Sequence, residues 1–417
     1  MNKLAIKNAT IIDVVNSTDK QQDCYIADGR FVAFGKAPDG FVADKTIDAT
    51  GKYVMPGLVD LSVNLLRKNQ NDLLHLSDSL AIAKAHGIKT LCQWPVKKPA
   101  FDNPITVRAI RDHFSVKGNS QLLPIAAMTY NLDGEALTNY SLLTEAGAIG
   151  FSQGNIPIVN TKVLYNAFQY AASFDLQFFM RPNDPWFNQD ISIHQGAISS
   201  MLGIEGIPVE AEVLDLQRCL VLAKKTGVKI HFSGISSREG VEIIRRAKDD
   251  GVRVTCDVAI PNLFLTEMDV ATFDSACHVI PPLRSLSAQE ALIAAIQDGT
   301  IDVISSHNRS CSLIAKQNPL ALTPPGYHGF TTFLPLLLML SEKTQMDFAH
   351  VLRLATKSCY DILAMDFAGF AVDSVADFIL FDPQAPVKNT ESPYQSPFTD
   401  WHLSGQVEVV CFDGEYV

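Results

Sequence analysis

Between Leu58 and Ser306, short apolar runs recur eight times: Leu58–Asn64, Thr90–Trp94, Leu122–Met128, Ala148–Ser152, Gln177–Met180, Val228–Phe232, Val252–Val258 and Asp302–Ser306. Helical patterns lie between most of them. Val163–Phe174 repeats apolar residues at i, i+3 and i+4 after a polar Asn160-Thr161 start. Val213–Lys225 does likewise and stops at Gly227, Ser237–Lys248 stops at Gly251, and Ser287–Gln297 stops at Gly299. Polar starts satisfy the free N–H groups of a first helical turn, and glycine stops accept the left-handed backbone that ends a helix. Strand-then-helix alternation implies a parallel sheet. Eight such units spread over about 300 residues predict an α/β fold, a (β/α)8 TIM barrel, whose usual size is ~250 residues or more. A doubly wound open sheet is the second candidate. It is disfavoured because no Gly-x-Gly-x-x-Gly follows the first strand.

The two ends of the chain have another texture. Leu4-Ala5-Ile6, Thr10-Ile11-Ile12, Cys24-Tyr25-Ile26 and Phe31-Val32-Ala33-Phe34 are short β-rich runs punctuated by Asp28-Gly29. Near the other end, Ala376–Phe381 and Gln406–Phe412 run apolar or alternate, followed by the turn Asp413-Gly414. Neither end supplies enough strands for a stable sheet alone. Together they predict one small β-sandwich domain, built from residues 1–55 and 369–417 around a barrel of residues 56–368.

A chain of 417 residues, 47% hydrophobic and 19% charged, reads as soluble and globular. Its net charge of −11 and lack of a basic stripe argue against nucleic acid. The longest apolar run, Leu334–Leu340, is too short for a membrane span and contains Pro335. It reads instead as part of a barrel helix core running Phe330–Leu340. The start Met1-Asn2-Lys3-Leu4-Ala5-Ile6-Lys7 has no apolar stretch of the secretory kind. Eight cysteines are scattered singly, with no Cys-x-x-Cys, which predicts reduced thiols and a cytoplasmic protein.

The segment Pro56-Gly57-Leu58-Val59-Asp60-Leu61-Ser62-Val63-Asn64 is similar to the stretch Pro-Gly-(Leu/Phe)-(Val/Ile)-Asp-x-His-x-His of metal-dependent cyclic amidohydrolases, with both imidazoles replaced. Val254-Thr255-Cys256-Asp257-Val258, Thr266-Glu267, Pro281-Pro282-Leu283-Arg284, Pro325-Gly326, Gly329, Leu334-Pro335 and Ala376–Asp382 follow in the order and spacing of dihydroorotases. The chain thus resembles that family nearly end to end. The resemblance implies where the family's functional positions fall. Metal-ligand positions hold Ser62, Asn64, Gln153, Arg181 and Gly234, and the catalytic aspartate position holds Ser306. The substrate-gripping arginine falls near Leu66, and Met-Pro-Asn of the second strand becomes Trp94-Pro95-Val96.

Zinc takes imidazole, thiolate or carboxylate donors, usually three protein ligands plus water at a catalytic site. Serine and asparagine are poor neutral donors, glycine has no side chain, and arginine is a permanent cation. No two of the ten histidines lie within five residues of each other. The expectation is therefore no zinc and no catalytic residue. A vestigial pocket is expected from Arg181, His231, Asn262, His307, Arg309 and His328. Arg181 would either bind an anion there or pair with Asp184. Cys311 is a weak candidate nucleophile, needing a base beside it. The polar stretch Arg67–Asn71 is expected at the barrel mouth.

Three functions remain open. The first is a non-catalytic dihydroorotase homologue that holds aspartate carbamoyltransferase catalytic chains together, as the resemblance implies, with a homo-oligomer as a further option. The second is an active cyclic-amide hydrolase with a rebuilt site. The third is a small-molecule sensor with an anion pocket around Arg181 and His307.

Overall fold

The computed structural model describes residues 3–16, 18–66, 73–187, 192–387 and 394–416; the Arg67–Asn71 stretch lies outside them. The eight apolar runs form eight parallel barrel strands. In order these are Leu58–Val63, Ile88–Gln93, Gln121–Pro124 continued by Ala126–Ala127, Phe151–Ser152, Gln177–Met180, Lys229–Phe232, Val254–Ala259 and Val303–Ser305. Each pairs with its sequence neighbours in parallel register, for example Ile230 with Val254 and Asp257 with Val303. The third strand spans the two halves: Leu122 pairs with the second strand and Ala126 with the fourth. The ring closes where the Asn64 N–H donates to the Asn308 carbonyl at 2.9 Å.

The helices form where the sequence signals place them. Asn160 caps Thr161–Ser173 by accepting from the Lys162 and Val163 N–H groups, Ser237 caps Arg238–Asp249, and Ser285 caps Leu286–Gln297. The helix Val209–Thr226 ends on Gly227 at φ +76°. The apolar run near 334 lies within Phe330–Thr344, a mostly buried helix with Pro335 inside it. No helix among the described residues is long and apolar enough to cross a membrane.

Side chains alternate across each strand, since successive residues point to opposite faces. On the sixth and seventh strands Ile230, Phe232, Val254, Cys256 and Val258 join the large core beneath the helices. His231, Thr255 and Asp257 take the other face, toward the barrel interior. The lower interior is apolar: Val59, Leu61, Cys92, Leu123, Ile125, Phe179 and Val303 pack with Cys359 and Tyr360. The Cys359 thiol meets the Val59 carbonyl at 3.6 Å and helps close that end.

The expected small β domain is realised as one continuous eight-stranded sheet with its own apolar core, including Leu4, Ile6, Ile11, Phe31, Val54, Phe378 and Leu380. Its seam is the antiparallel pairing of Tyr53–Met55 with Ile379–Phe381, which joins the two chain ends. Lys89 of the second barrel strand ties it to the barrel through Asp377 at 2.5 Å and Asp413 at 3.3 Å. At Gly57 a Cβ would lie 2.7 Å from the Phe412 ring, so only glycine allows this approach. One boundary differs from expectation. Residues 394–403 leave the sheet and lie on the barrel: Gln395 bonds to Cys311 and His328, and Phe398 packs against Phe264 and Tyr327. Apolar side chains within a polar connection pulled that segment across.

Phe179 is fully buried inside the ring of strands, its ring centre 5.6 Å from that of His231. Phe179→Ala should cost about 3–5 kcal/mol. A urea melt should show an earlier midpoint; an unchanged midpoint would show that this interior is not tightly packed.

Candidate functional site

The polar chemistry begins one layer above that apolar floor. Asp257, fully buried, is its hub. Its Oδ1 accepts from the His307 Nε2–H at 2.7 Å and from the Gly234 N–H at 2.8 Å. Its Oδ2 accepts from the His231 Nε2–H at 3.1 Å, and the His231 Nδ1 meets the Thr255 hydroxyl at 2.9 Å. Burial alone would raise the Asp257 carboxyl, but the two imidazoles outweigh it and hold the group well below the usual carboxylate range. His307 has a left-handed backbone, φ +53°. Its Nδ1 faces the Arg181 Nη2 at 3.2 Å, and because a guanidinium only donates, Nδ1 must accept. Burial pushes the His307 pKa down, favouring this neutral tautomer.

Asp60, also fully buried, makes the second knot. It accepts from the Ser62 N–H at 3.1 Å, from the Ser306 N–H at 3.3 Å and from the Ser306 hydroxyl. These donors are neutral. Burial therefore dominates and pushes its pKa up to about 7. Two buried carboxylates in one barrel thus differ because one faces imidazoles and the other faces hydroxyl and amide groups.

Above both knots lies a cavity at the C-terminal ends of the strands, where barrels of this kind place their chemistry. Arg181, His307 and Arg309 line it, together with Ser62, Asn64, Trp94, Gly154 and Asn308 among others. Arg181 turns inward over the Trp94 ring, 5.8 Å from its centre, and burial lowers its pKa to about 10. The pairing with Asp184 is not formed: Nη2 is on His307, and Nε and Nη1 have no partner among the described residues.

The other expected pocket residues disperse. His231 lies deeper, behind Asp257. Asn262 donates to the Pro282 carbonyl at 2.9 Å, away from the lining. His328 is held by the Ser310 hydroxyl at 3.0 Å and stacks on Tyr394, also outside the lining. Each closes a local network instead of facing the cavity. Ser306 faces Asp60 and the Tyr327 hydroxyl, tying the eighth strand to the first. Gln153 is held by Thr129, with its Oε1 3.1 Å from that hydroxyl. Leu66 is buried in the core. The Cys311 thiol lies against the carbonyls of Arg309 and Pro324.

Gly234 is explained sterically. Its φ is +79°, and a Cβ there would lie 3.0 Å from His307 Cε1 and 3.2 Å from Pro281. The imidazole of His307 fills the room a side chain at 234 would use. Among the described residues no three His, Cys, Asp or Glu side chains are placed to hold a metal ion. The nearest approach, His231–Asp257–His307, spends its donors on mutual hydrogen bonds. This set does not fit the zinc that the family resemblance implies.

Asp257 and Asn308 were missed as site residues. An acid inside an apolar strand, as in Val254-Thr255-Cys256-Asp257-Val258, was the available signal for the first. For Asn308 there was none beyond its place after His307.

A closed parallel barrel with a polar mouth and a two-ended β domain is an amidohydrolase-type architecture. L-Hydantoinase (dihydropyrimidinase) from Arthrobacter aurescens shares this fold with a TM-score of 0.84 at 22% identity, covering 100% of this chain and 96% of that one. D-Hydantoinase from Thermus sp. gives 0.77 at 20% identity, covering 99% and 96%. The family model for dihydro-orotase-like proteins matches residues 51–240. Dihydroorotase-like proteins from Pseudomonas aeruginosa and Pseudomonas putida are each 35% identical over 99% of this chain and 98% of their own length. A dihydroorotase from Thermoanaerobacter sp. is 32% identical over 99% and 96%. The chain belongs to the dihydroorotase-like family.

Asp60 makes a pH prediction. Its folded pKa, about 7, lies above its unfolded value of about 4. Between those values the folded state holds a proton that the unfolded state has lost, so Asp60's contribution to stability is complete below about pH 4 and disappears as pH rises toward about 7. Asp60→Asn should remove that component. Thermal melts from pH 4 to 7 should show the variant gaining on the parent as pH rises; parallel curves would refute the assignment.

Proposed function

We propose that this chain is a dihydroorotase-like protein that performs no hydrolysis and works by binding. In this reading it is a cytoplasmic, non-catalytic subunit that assembles or stabilises aspartate carbamoyltransferase catalytic chains in pyrimidine biosynthesis. The observation that carries the loss of catalysis is Arg181. A permanent cation occupies the mouth of the barrel, bonded to His307, where a hydrolase would need donors for a divalent metal. Without a metal, no bound water is brought to a pKa of ~7. The position of the family's catalytic aspartate holds a serine turned toward Asp60, and a serine hydroxyl is a poor proton acceptor at neutral pH.

The partner is inferred from the resemblance to inactive dihydroorotase homologues that accompany bacterial aspartate carbamoyltransferases. The name "dihydroorotase-like protein" of the two Pseudomonas relatives, set beside "dihydroorotase" for the Thermoanaerobacter one, is in keeping with it. The mechanism would be linkage: a chain that binds only folded, assembled partners stabilises them by mass action. Eight unpaired, buried cysteines support a reducing compartment.

A second reading, an active hydrolase with a rebuilt site, has one observation in its favour. The Ser62 hydroxyl lies 3.5 Å from the His307 Nδ1, and Asp257 holds the other side of that ring. Against it, Arg181 donates to the same Nδ1 and opposes its protonation. A base that cannot take the serine proton cannot activate the serine.

Purified without chelator, the full-length chain is expected to carry no stoichiometric zinc and to leave dihydroorotate intact. One tightly held zinc with turnover would overturn the loss of catalysis. Hydrolysis abolished by Ser62→Ala would establish the second reading. Mixed with the transferase chains, it is expected to yield a larger and more active assembly by size-exclusion chromatography with light scattering. Equal size and activity without it would end the assembly role.

A further inference from the structure

We propose that the cavity at the barrel mouth is a binding site for a small carboxylate-type oxyanion, anchored by Arg181 and completed by Arg309, Asn308 and Asn64. The inference stands on the geometry of the cavity and does not require the assembly role.

The mouth is short of negative charge. Two arginines line it, and no Asp or Glu does among the described lining residues. The nearest carboxylate, Asp257, is already engaged by His231, His307 and the Gly234 N–H. Arg181 reaches the site with only Nη2 bonded; its Nε and Nη1 are buried and have no partner among the described residues. The Asn308 side chain, 1% exposed, bonds through Oδ1 to the Gly329 N–H at 2.8 Å, while its Nδ2 is buried without a partner. Buried guanidinium N–H groups without an acceptor and an unpaired amide donor each cost free energy. A single anion placed among them would answer both deficits.

The shape and the one opposing atom narrow the ligand. The cavity is small, with about 20 Å³ open to the centre of a water-sized sphere within about 330 Å³ of empty space that includes open solvent. A guanidinium edge pairs Nη2 with Nε or with Nη1, and with one Nη2–H on His307 the second Nη2–H can complete such an edge for the two oxygens of a planar carboxylate-type group. Asn64 Oδ1, also buried and unpartnered, is an acceptor and calls for one donor on the ligand. Bicarbonate has that composition: a planar anionic edge and one O–H. The carboxylate end of a larger metabolite offers the same edge, with the remainder projecting through the mouth.

The full-length chain should be melted at constant ionic strength while chloride is exchanged for bicarbonate, formate or N-carbamoyl-L-aspartate. A saturable rise in Tm with bicarbonate exceeding that with formate is expected, the difference reporting the Asn64 contact. A larger rise with N-carbamoyl-L-aspartate would make a metabolite carboxylate the occupant. Arg181→Met, confirmed folded by its circular dichroism, should abolish the response. Asn308→Asp keeps the Gly329 bond and supplies a carboxylate from within; it should raise Tm and also be insensitive to added anion. Equal melting in chloride and in all three oxyanions, or an undiminished response in folded Arg181→Met, would overturn the proposal.

Discussion

The Asp257 carboxylate fixes the geometry of everything above the barrel floor. It is buried on the interior face of the seventh strand, where an unpaired charge would be costly. Three groups from two other places in the ring offset that cost: His231 on the sixth strand, the Gly234 N–H just after it, and His307 after the eighth. Breaking one partner of such a buried network typically costs ~3–5 kcal/mol, because the remaining charge stays buried. His307 can therefore hold its left-handed backbone and present Nδ1 upward. Arg181 then finds an acceptor there, and Gly234 has no room for a side chain. Asp60 plays a parallel part across the first and eighth strands, but without a cation nearby, and its raised pKa records the difference.

The barrel was legible because its elements carry strong periodic signals. Strands buried on both faces read as apolar runs, and the intervening helices announce their ends through Asn160, Ser237 and Gly227. Pairing the chain ends followed from neither having strands enough alone, and the Tyr53–Met55 seam with Ile379–Phe381 is the result. Residues 394–403 were not legible as part of the barrel. Phe398 chooses between two cores, and nothing local decides which one.

The site was legible only in part, for a related reason. Arg181 follows directly on its strand end and His307 and Arg309 lie within a few residues of theirs, so their place at the mouth comes with the fold. His231 also sits on a strand, but it faces Asp257 in the layer below the lined cavity. Asn262 and His328 sit on connections, and their side chains answer to local partners, Pro282 and Ser310. Asp257 belonged to a matched motif and was read as family texture, although an acid among Val254, Cys256 and Val258 demands partners on physical grounds alone.

Unsatisfied polar atoms gather at the mouth, although Ser192 Oγ, Asn262 Oδ1, Glu267 Oε2 and Ser305 Oγ are others away from it. The lower interior is filled by aliphatic and aromatic side chains, and stability there needs no polar help. At the mouth, Asn64 Oδ1, Arg181 Nε and Nη1, and Asn308 Nδ2 are buried without partners. Native chains leave few such atoms, and those they leave tend to mark function. A mouth serving only to pack would be lower in energy with an apolar side chain at 181, since replacing buried charge by well-packed hydrocarbon is often stabilising by about 1–4 kcal/mol. The proposed loss of metal donors would concern Ser62 and Asn64, and leaves a buried guanidinium with free donors unaccounted for. That residue is explained by something that meets it. Assembly of the kind proposed would use the outer surface of the barrel and leave the mouth its own chemistry, since Arg181, Asn308 and Asn64 line the cavity within the ring.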